Sequence, residues 1–153
     1  MKTFWRISNY TNLNGEGGLY GSARWHTRGR RIVYMGESAA AAMLERLVHL
    51  EESEGKLPRT YVLLKIEAPE KVAVHDLMAL AETDWKEQPL YTQRLGDRWL
   101  ASLSTALARV PSAVVPETWN YLLNPDHADA SQVSITELRR EQFDRRLLSF
   151  KAR

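Results

Sequence analysis

The chain has 153 residues, 44% of them hydrophobic and 26% charged, with a formal net charge of +2. That is the make-up of one ordinary globular domain and excludes collagen-like and disordered classes. Cysteine is absent, which excludes disulfides, thiolate zinc sites and cysteine nucleophiles and makes the cytoplasm the expected setting. No apolar run approaches the ~18 residues of a membrane span, and the opening "MKTFWRISNY" lacks the apolar core of a signal peptide, so no membrane association is expected.

Gly15, Gly17, Gly18 and Gly21, with Asn12 and Asn14, mark an N-terminal loop. The run "RIVYM", Arg31 to Met35, has the β-branched and aromatic content of a short buried strand and is ended by Gly36. Ser38 is placed to cap a helix through "AAAAMLERLVHLEES", closed by Gly55 and followed by Pro58. "TYVLLKIEAP" (Thr60 to Pro69) and "KVAVHDL" (Lys71 to Leu77) read as strands. "DRWLASLSTALARV", with Asp97 as cap and Leu100, Leu103, Leu107 and Val110 at helical spacing, predicts a second helix stopped by Pro111. "SAVVPET" and "TWNYLL" read as short extended pieces and "SITEL" as a further strand, before an Arg-rich tail expected to form a solvated edge. The pattern predicts an α+β fold, one compact domain over residues 1–153.

Familiar nucleotide and metal motifs are missing. In "GEGGLYG", Gly15 and Gly17 have dinucleotide spacing, but Tyr20 occupies the third glycine position and no strand precedes it. No Gly-Lys-Ser/Thr follows, so a P-loop fails as well. His26, His49, His75 and His127 have no paired spacing for a metal and read as ordinary surface or helix-face histidines. Arg24, Arg28, Arg30 and Arg31 form a dense basic stretch that suits either a phosphorylated small molecule or a nucleic-acid backbone, or a solvated loop.

Glu45 is less ordinary. With Ala41, Leu44 and Val48 it follows the i, i+3, i+4, i+7 template of a buried helix face, where a carboxylate needs partners. It is therefore either paired with a structural arginine or facing a ligand cleft. Trp25, Tyr34 and Ser112, taken singly, read as core aromatics and a turn hydroxyl.

Together these residues resemble a family. "GSARWHTRGRRIVYMGES", followed by "LE", is similar to the Gly-Gly-Arg-Trp…Gly…Val-Tyr…Leu-Glu segment of RES-domain proteins, named for an arginine, a glutamate and a serine. "WRI", "LGDRWLAS", "VPSAVVPETWNYLLNPDH" and "FDRRL" resemble the same family in the same order, over nearly the whole chain. The resemblance implies a toxin of a type II toxin–antitoxin pair that degrades NAD+ on a fold similar to the ADP-ribosyltransferases. It implies as partners NAD+ and an Xre-like antitoxin with a helix-turn-helix region covering the active site, DNA being reached only through that antitoxin, and it implies a homodimer. The family's arginine falls on Arg24, its tyrosine on Tyr34, its glutamate on Glu45 and its serine on Ser112, with Arg6 matching a further arginine. Arg24 and Arg6 are expected on phosphate oxygens, Tyr34 at the nicotinamide, Glu45 at the ribose, and Ser112 near the acceptor, with Arg145 or Arg146 as secondary phosphate candidates. Ala23 stands where the family usually has its second glycine and His26 where it usually has asparagine. No cofactor is expected beyond NAD+ as substrate and inorganic phosphate as the alternative to water. Protein ADP-ribosyl transfer and nucleic-acid binding or cleavage are the competing readings.

Overall fold

The period-two alternation of "TYVLLKIEA" buries Val62, Leu64, Ile66 and Ala68 along one side of a strand, and the sheet is built outward from there. The structure, a computed structural model, describes residues 1–50, 58–77 and 84–151. In chain order it contains β1 (Lys2–Ile7), α1 (Gly17–Tyr20), β2 (Val33–Gly36), α2 (Ala39–His49), β3 (Thr60–Ala68) and β4 (Val74–Asp76). These are followed by α3 (Pro89–Ser102), β5 (Leu107–Pro111), β6 (Trp119–Leu123), β7 (Ser134–Gln142) and α4 (Arg145–Lys151), with 3-10 turns at Trp85–Glu87 and Ala128–Gln132. The strands make one seven-stranded sheet in the order β4-β5-β6-β2-β1-β3-β7, with β4 and β5 parallel and the other neighbours antiparallel. The α+β expectation holds.

Neighbouring residues feed opposite faces of this sheet. Leu107 and Leu123 join Phe4, Val33, Met35, Leu64 and Ile66 in one apolar cluster. Ala108, Val110 and Leu122 join Trp25, Trp85, Trp99 and Leu100 in another, on the face that α3 covers. The sheet has a seam: β1 and β2 share the single registered pair Trp5 and Gly36, whereas β1 is registered with β3 from Lys2 to Ile7. At the far edge lies β7, charged and largely exposed. Its Glu137 reaches Lys65 at 3.8 Å and its Arg139 reaches Glu141 at 3.5 Å.

Several elements differ from the sequence expectation. The second helix runs from Pro89 to Ser102 and ends where Leu103 adopts a left-handed conformation, φ 53°. Leu107 and Val110 then belong to β5, so the apparent helical spacing straddles a helix end and a strand. Asp97 lies inside the helix and caps nothing; its carboxylate holds Thr27. "KVAVHDL" contracts to the short β4, "SAVVPET" is a turn with Glu117 at φ 61°, and "SITEL" extends into β7. The opening segment forms β1, and the glycine loop contains one helical turn. Ser38 does cap α2, its Oγ accepting the Ala41 N–H at 3.0 Å. The helix ends at His49 with Leu50 as cap, and the proposed stop at Gly55 lies outside the described residues. Among the described residues no helix is long and apolar enough to cross a membrane.

Gly96 marks the tightest packing. A Cβ built there would lie 1.6 Å from the Trp25 carbonyl oxygen, so the main chain at Trp25 passes where any side chain on α3 would stand. Gly96→Ala is expected to destabilise the protein by more than about 2 kcal/mol, because neither backbone segment can yield cheaply. Urea unfolding of the variant measures this directly.

Candidate active site

The segment carrying Arg24 is held against one face of α3. The Thr92 hydroxyl donates to the Arg24 carbonyl, and the Gln93 amide donates to the Ala23 carbonyl at 3.0 Å. One turn further on, Asp97 accepts from the Thr27 N–H at 2.9 Å and its hydroxyl at 2.7 Å, and pairs with Arg30 at 3.3 Å. The Arg24 guanidinium donates to the Lys86 carbonyl at 3.0 Å and lies 5.7 Å from the Trp85 ring centre. The arginine cluster is thereby dispersed. Arg30 turns to Asp97, Arg31 to the Asn14 carbonyl, and Arg28 is exposed; of the four, Arg24 lines the cleft described below.

Tyr34, on β2, reaches under the same segment. Its hydroxyl accepts the Trp25 N–H at 3.2 Å and meets His26 Nδ1 at 2.7 Å. His26 Nε2 lies 2.9 Å from the Gly21 carbonyl, which can only accept, so Nε2 carries the proton and Nδ1 receives the tyrosine hydroxyl. His26 is therefore no surface histidine: it is 2% exposed, and burial pulls its pKa below the ordinary value. Burial also pushes the Tyr34 phenol up. An asparagine at position 26 would offer an acceptor to the same hydroxyl without titrating.

Glu45 resolves between its two readings. Its Oε1 accepts the Ser112 hydroxyl at 2.9 Å and the Asn120 amide at 2.9 Å, and among the described residues it pairs with no arginine. The helix stripe is not a core face: Ala41 is 6% exposed, but Leu44 and Val48 are 41% and 40% exposed. The alanines instead bring α2 close to the sheet, where a Cβ on Gly36 would lie 3.0 Å from the Ala42 nitrogen. Ser112 is buried, and its oxygen also accepts the Val114 and Val115 N–H groups at 3.0 and 3.3 Å. The Ser112 hydroxyl is thus held between the Glu45 carboxylate and two backbone N–H groups.

These elements surround a cleft of about 370 Å³ at the β1/β2 seam. Arg6 and Trp5 of β1, Arg24 and Trp25, Tyr34, and Glu45 and Arg46 of α2 all line it. Burial lowers the Arg6 pKa to about 10, and among the described residues no carboxylate or carbonyl receives its guanidinium. Arg145 and Arg146 do not line the cleft: Arg145 is exposed, and Arg146 pairs with Asp144 at 2.8 Å. Sequence reasoning missed Asn120 and Arg46. Asn120 gives no local signal, because its side chain reaches Glu45 only through the pairing of β6 with β2, opposite Gly36. Among the described residues no three carboxylate or histidine side chains converge as a metal site would require.

The family model described as RES domain matches residues 3–146. The protein called Toxin Res of Pseudomonas putida (strain KT2440) is 48% identical over 131 residues, which cover 86% of this chain and 90% of that one. The Prs ADP-ribosylating toxin of Sphingobium sp. (strain YBL2) is 34% identical, over 95% of this chain and 96% of that one. Among solved structures, the Mycobacterium tuberculosis MbcT–MbcA toxin–antitoxin complex contains a chain that superposes with a TM-score of 0.71 at 18% identity, covering 99% of this chain and 90% of that one. The chain belongs to the RES-domain family, with the fold seen in that complex.

His26 makes stability depend on pH. Because its pKa is lower folded than unfolded, its contribution is complete above about pH 6.5 and is lost as pH falls from there toward the folded value, by at most about 1.4 kcal/mol per pH unit. Denaturant unfolding at pH 7.5 and 5.5 is expected to show this loss in the wild type and a smaller one in His26→Asn.

Proposed function

We propose that this chain is the toxin of a toxin–antitoxin pair and that it consumes NAD+ by cleaving the bond between nicotinamide and ribose. The observation that carries this reading is the Glu45 carboxylate, held through one oxygen by Ser112 and Asn120, in a cleft whose other charged walls include Arg6, Arg24 and Arg46. A ligand complementary to that distribution carries hydroxyls and a cation at one end and an anionic linker beyond it, as NAD+ does.

In such a complex Arg24 and Arg6 hold the diphosphate and the Tyr34 ring flanks the nicotinamide. Glu45 accepts a hydroxyl of the nicotinamide ribose. The electron pair of the breaking C–N bond goes to the ring nitrogen, so nicotinamide leaves neutral and the positive charge passes to the ribose carbon. The carboxylate stabilises that charge as it develops. Attack by water, which loses a proton, gives ADP-ribose; attack by inorganic phosphate gives ADP-ribose 1″-phosphate. No resident cofactor takes part.

Membership of the RES-domain family and relatives named Toxin Res support the toxin assignment. The complex in which its structural neighbour was solved supports an antitoxin partner, which we take to be Xre-like with a helix-turn-helix region. Exposed Leu44 and Val48 on α2 offer such a partner apolar surface beside the cleft. The toxin itself is read as a cytoplasmic homodimer. A second reading, ADP-ribosyl transfer to a protein, draws support from the relative named an ADP-ribosylating toxin; it shares the cleft and differs in the acceptor.

Phosphorus NMR of purified protein with NAD+, with and without inorganic phosphate, tests the reading. Phosphate-dependent loss with a new phosphomonoester signal identifies a phosphorylase, loss in either condition identifies a glycohydrolase, and label transferred to protein identifies a transferase. NAD+ left intact both with and without phosphate would sink the proposal. Glu45→Gln is expected to lower turnover by about a hundredfold or more with NAD+ affinity nearly unchanged. For Arg24→Lys the expected change is about tenfold weaker binding, read by titration calorimetry in the Glu45→Gln background.

A further inference from the structure

Asn120 has two polar atoms with different fates. Its Nδ2 donates to Glu45 Oε1 at 2.9 Å, while its Oδ1 is buried and has no hydrogen-bond partner. The amide cannot be turned to relieve this, because Oδ1 would then face a carboxylate oxygen and two acceptors would meet. Buried acceptors are nearly always satisfied, and one left open beside a functional group calls for a donor from outside the chain. Glu45 is equally lopsided. Both of its donors, Ser112 and Asn120, sit on Oε1, and Oε2 accepts from no described residue. The open oxygens, Glu45 Oε2 and Asn120 Oδ1, belong to side chains already hydrogen-bonded to one another and both lining the cleft.

We infer that Asn120 is a further residue of the site: its N–H fixes the Glu45 carboxylate so that Oε2 faces the substrate, and its Oδ1 accepts a second hydroxyl of the same ribose. The pair forms a reader of a cis-diol, with Glu45 on one hydroxyl and Asn120 on its neighbour. This rests on the NAD+ reading above. The fold supplies the geometry cheaply, since Asn120 stands opposite Gly36 in the β2/β6 register and Gly36 has no side chain to stand between it and α2. Ionisable groups sharing this cleft are Arg6, Arg24, Arg46, His49 and Tyr34.

Two substitutions, read with NAD+ and its deoxy analogues, test the inference. Asn120→Ala removes both functions. It is expected to lower kcat by about tenfold or more and to erase most of the wild-type preference for NAD+ over analogues lacking one hydroxyl of the nicotinamide ribose. Asn120→Asp keeps the size and an acceptor but sets a second carboxylate against Glu45, and like charges resist joint ionisation. The acid limb of its kcat profile is expected to move up by about one pH unit or more, a change that looser packing does not produce; thermal melting checks that both variants are folded. Wild-type protein that leaves NAD+ intact overturns the reading of the site and this inference with it. Wild-type turnover with Asn120→Ala unchanged in kcat and in hydroxyl preference overturns this inference alone. If Asn120→Ala loses kcat while its hydroxyl preference stays at the wild-type value, the assigned hydroxyl contact is wrong.

Discussion

The contact between the Trp25 main chain and Gly96 decides where the cleft can be. It lets the segment from Ala23 to Thr27 lie flush on α3, where Thr92, Gln93 and Asp97 capture it by hydrogen bonds on the same helical face. Once Trp25 is fixed, its N–H meets the Tyr34 hydroxyl and His26 completes the chain of bonds to Gly21. Arg24 projects from this braced segment, so its placement is inherited from backbone packing. A loop guanidinium otherwise loses considerable side-chain entropy on binding a ligand, and bracing reduces that loss.

Across the cleft, Glu45 is held in a different way. Neutral donors fix it, Ser112 and Asn120, and no cation neutralises it among the described residues. Pairing with an arginine would have satisfied the carboxylate and screened its charge from a ligand. A hydroxyl and an amide orient it without cancelling its charge, so its field extends into the cleft. Of the arginines that line the cleft, Arg6 lies on β1 and Arg24 on the segment before β2, while Arg46 follows Glu45 on α2.

The sequence made much of this visible, and the failures have physical causes. Strand β3, the Ser38 cap and the small-residue face of α2 follow from local pattern because each depends on neighbours along the chain. Resemblance drew Arg24, Tyr34 and Glu45 together across elements that periodicity could not connect. The second helix was misplaced because Leu100 and Leu103 end a helix while Leu107 and Val110 sit in a strand, and spacing does not see the left-handed turn between them. Asp97 looked like a cap because its true partner, Thr27, is distant in sequence. The buried state of His26 and the role of Asn120 arise only from tertiary contact, through Tyr34 in one case and through the β2/β6 register in the other.

The edge strand β7 bears on how the molecule behaves when unaccompanied. A nine-residue strand at the end of a sheet offers a ladder of unpaired amides to any passing chain. Here that strand reads "SITELRREQ" and its outer half alternates acidic and basic side chains that find partners within the molecule, Glu137 with Lys65 and Arg139 with Glu141. A stray strand adding to this edge would have to displace or desolvate those charges. Sheet extension into fibres is disfavoured from the outset, because the charges that β7 carries guard the edge that its backbone leaves open.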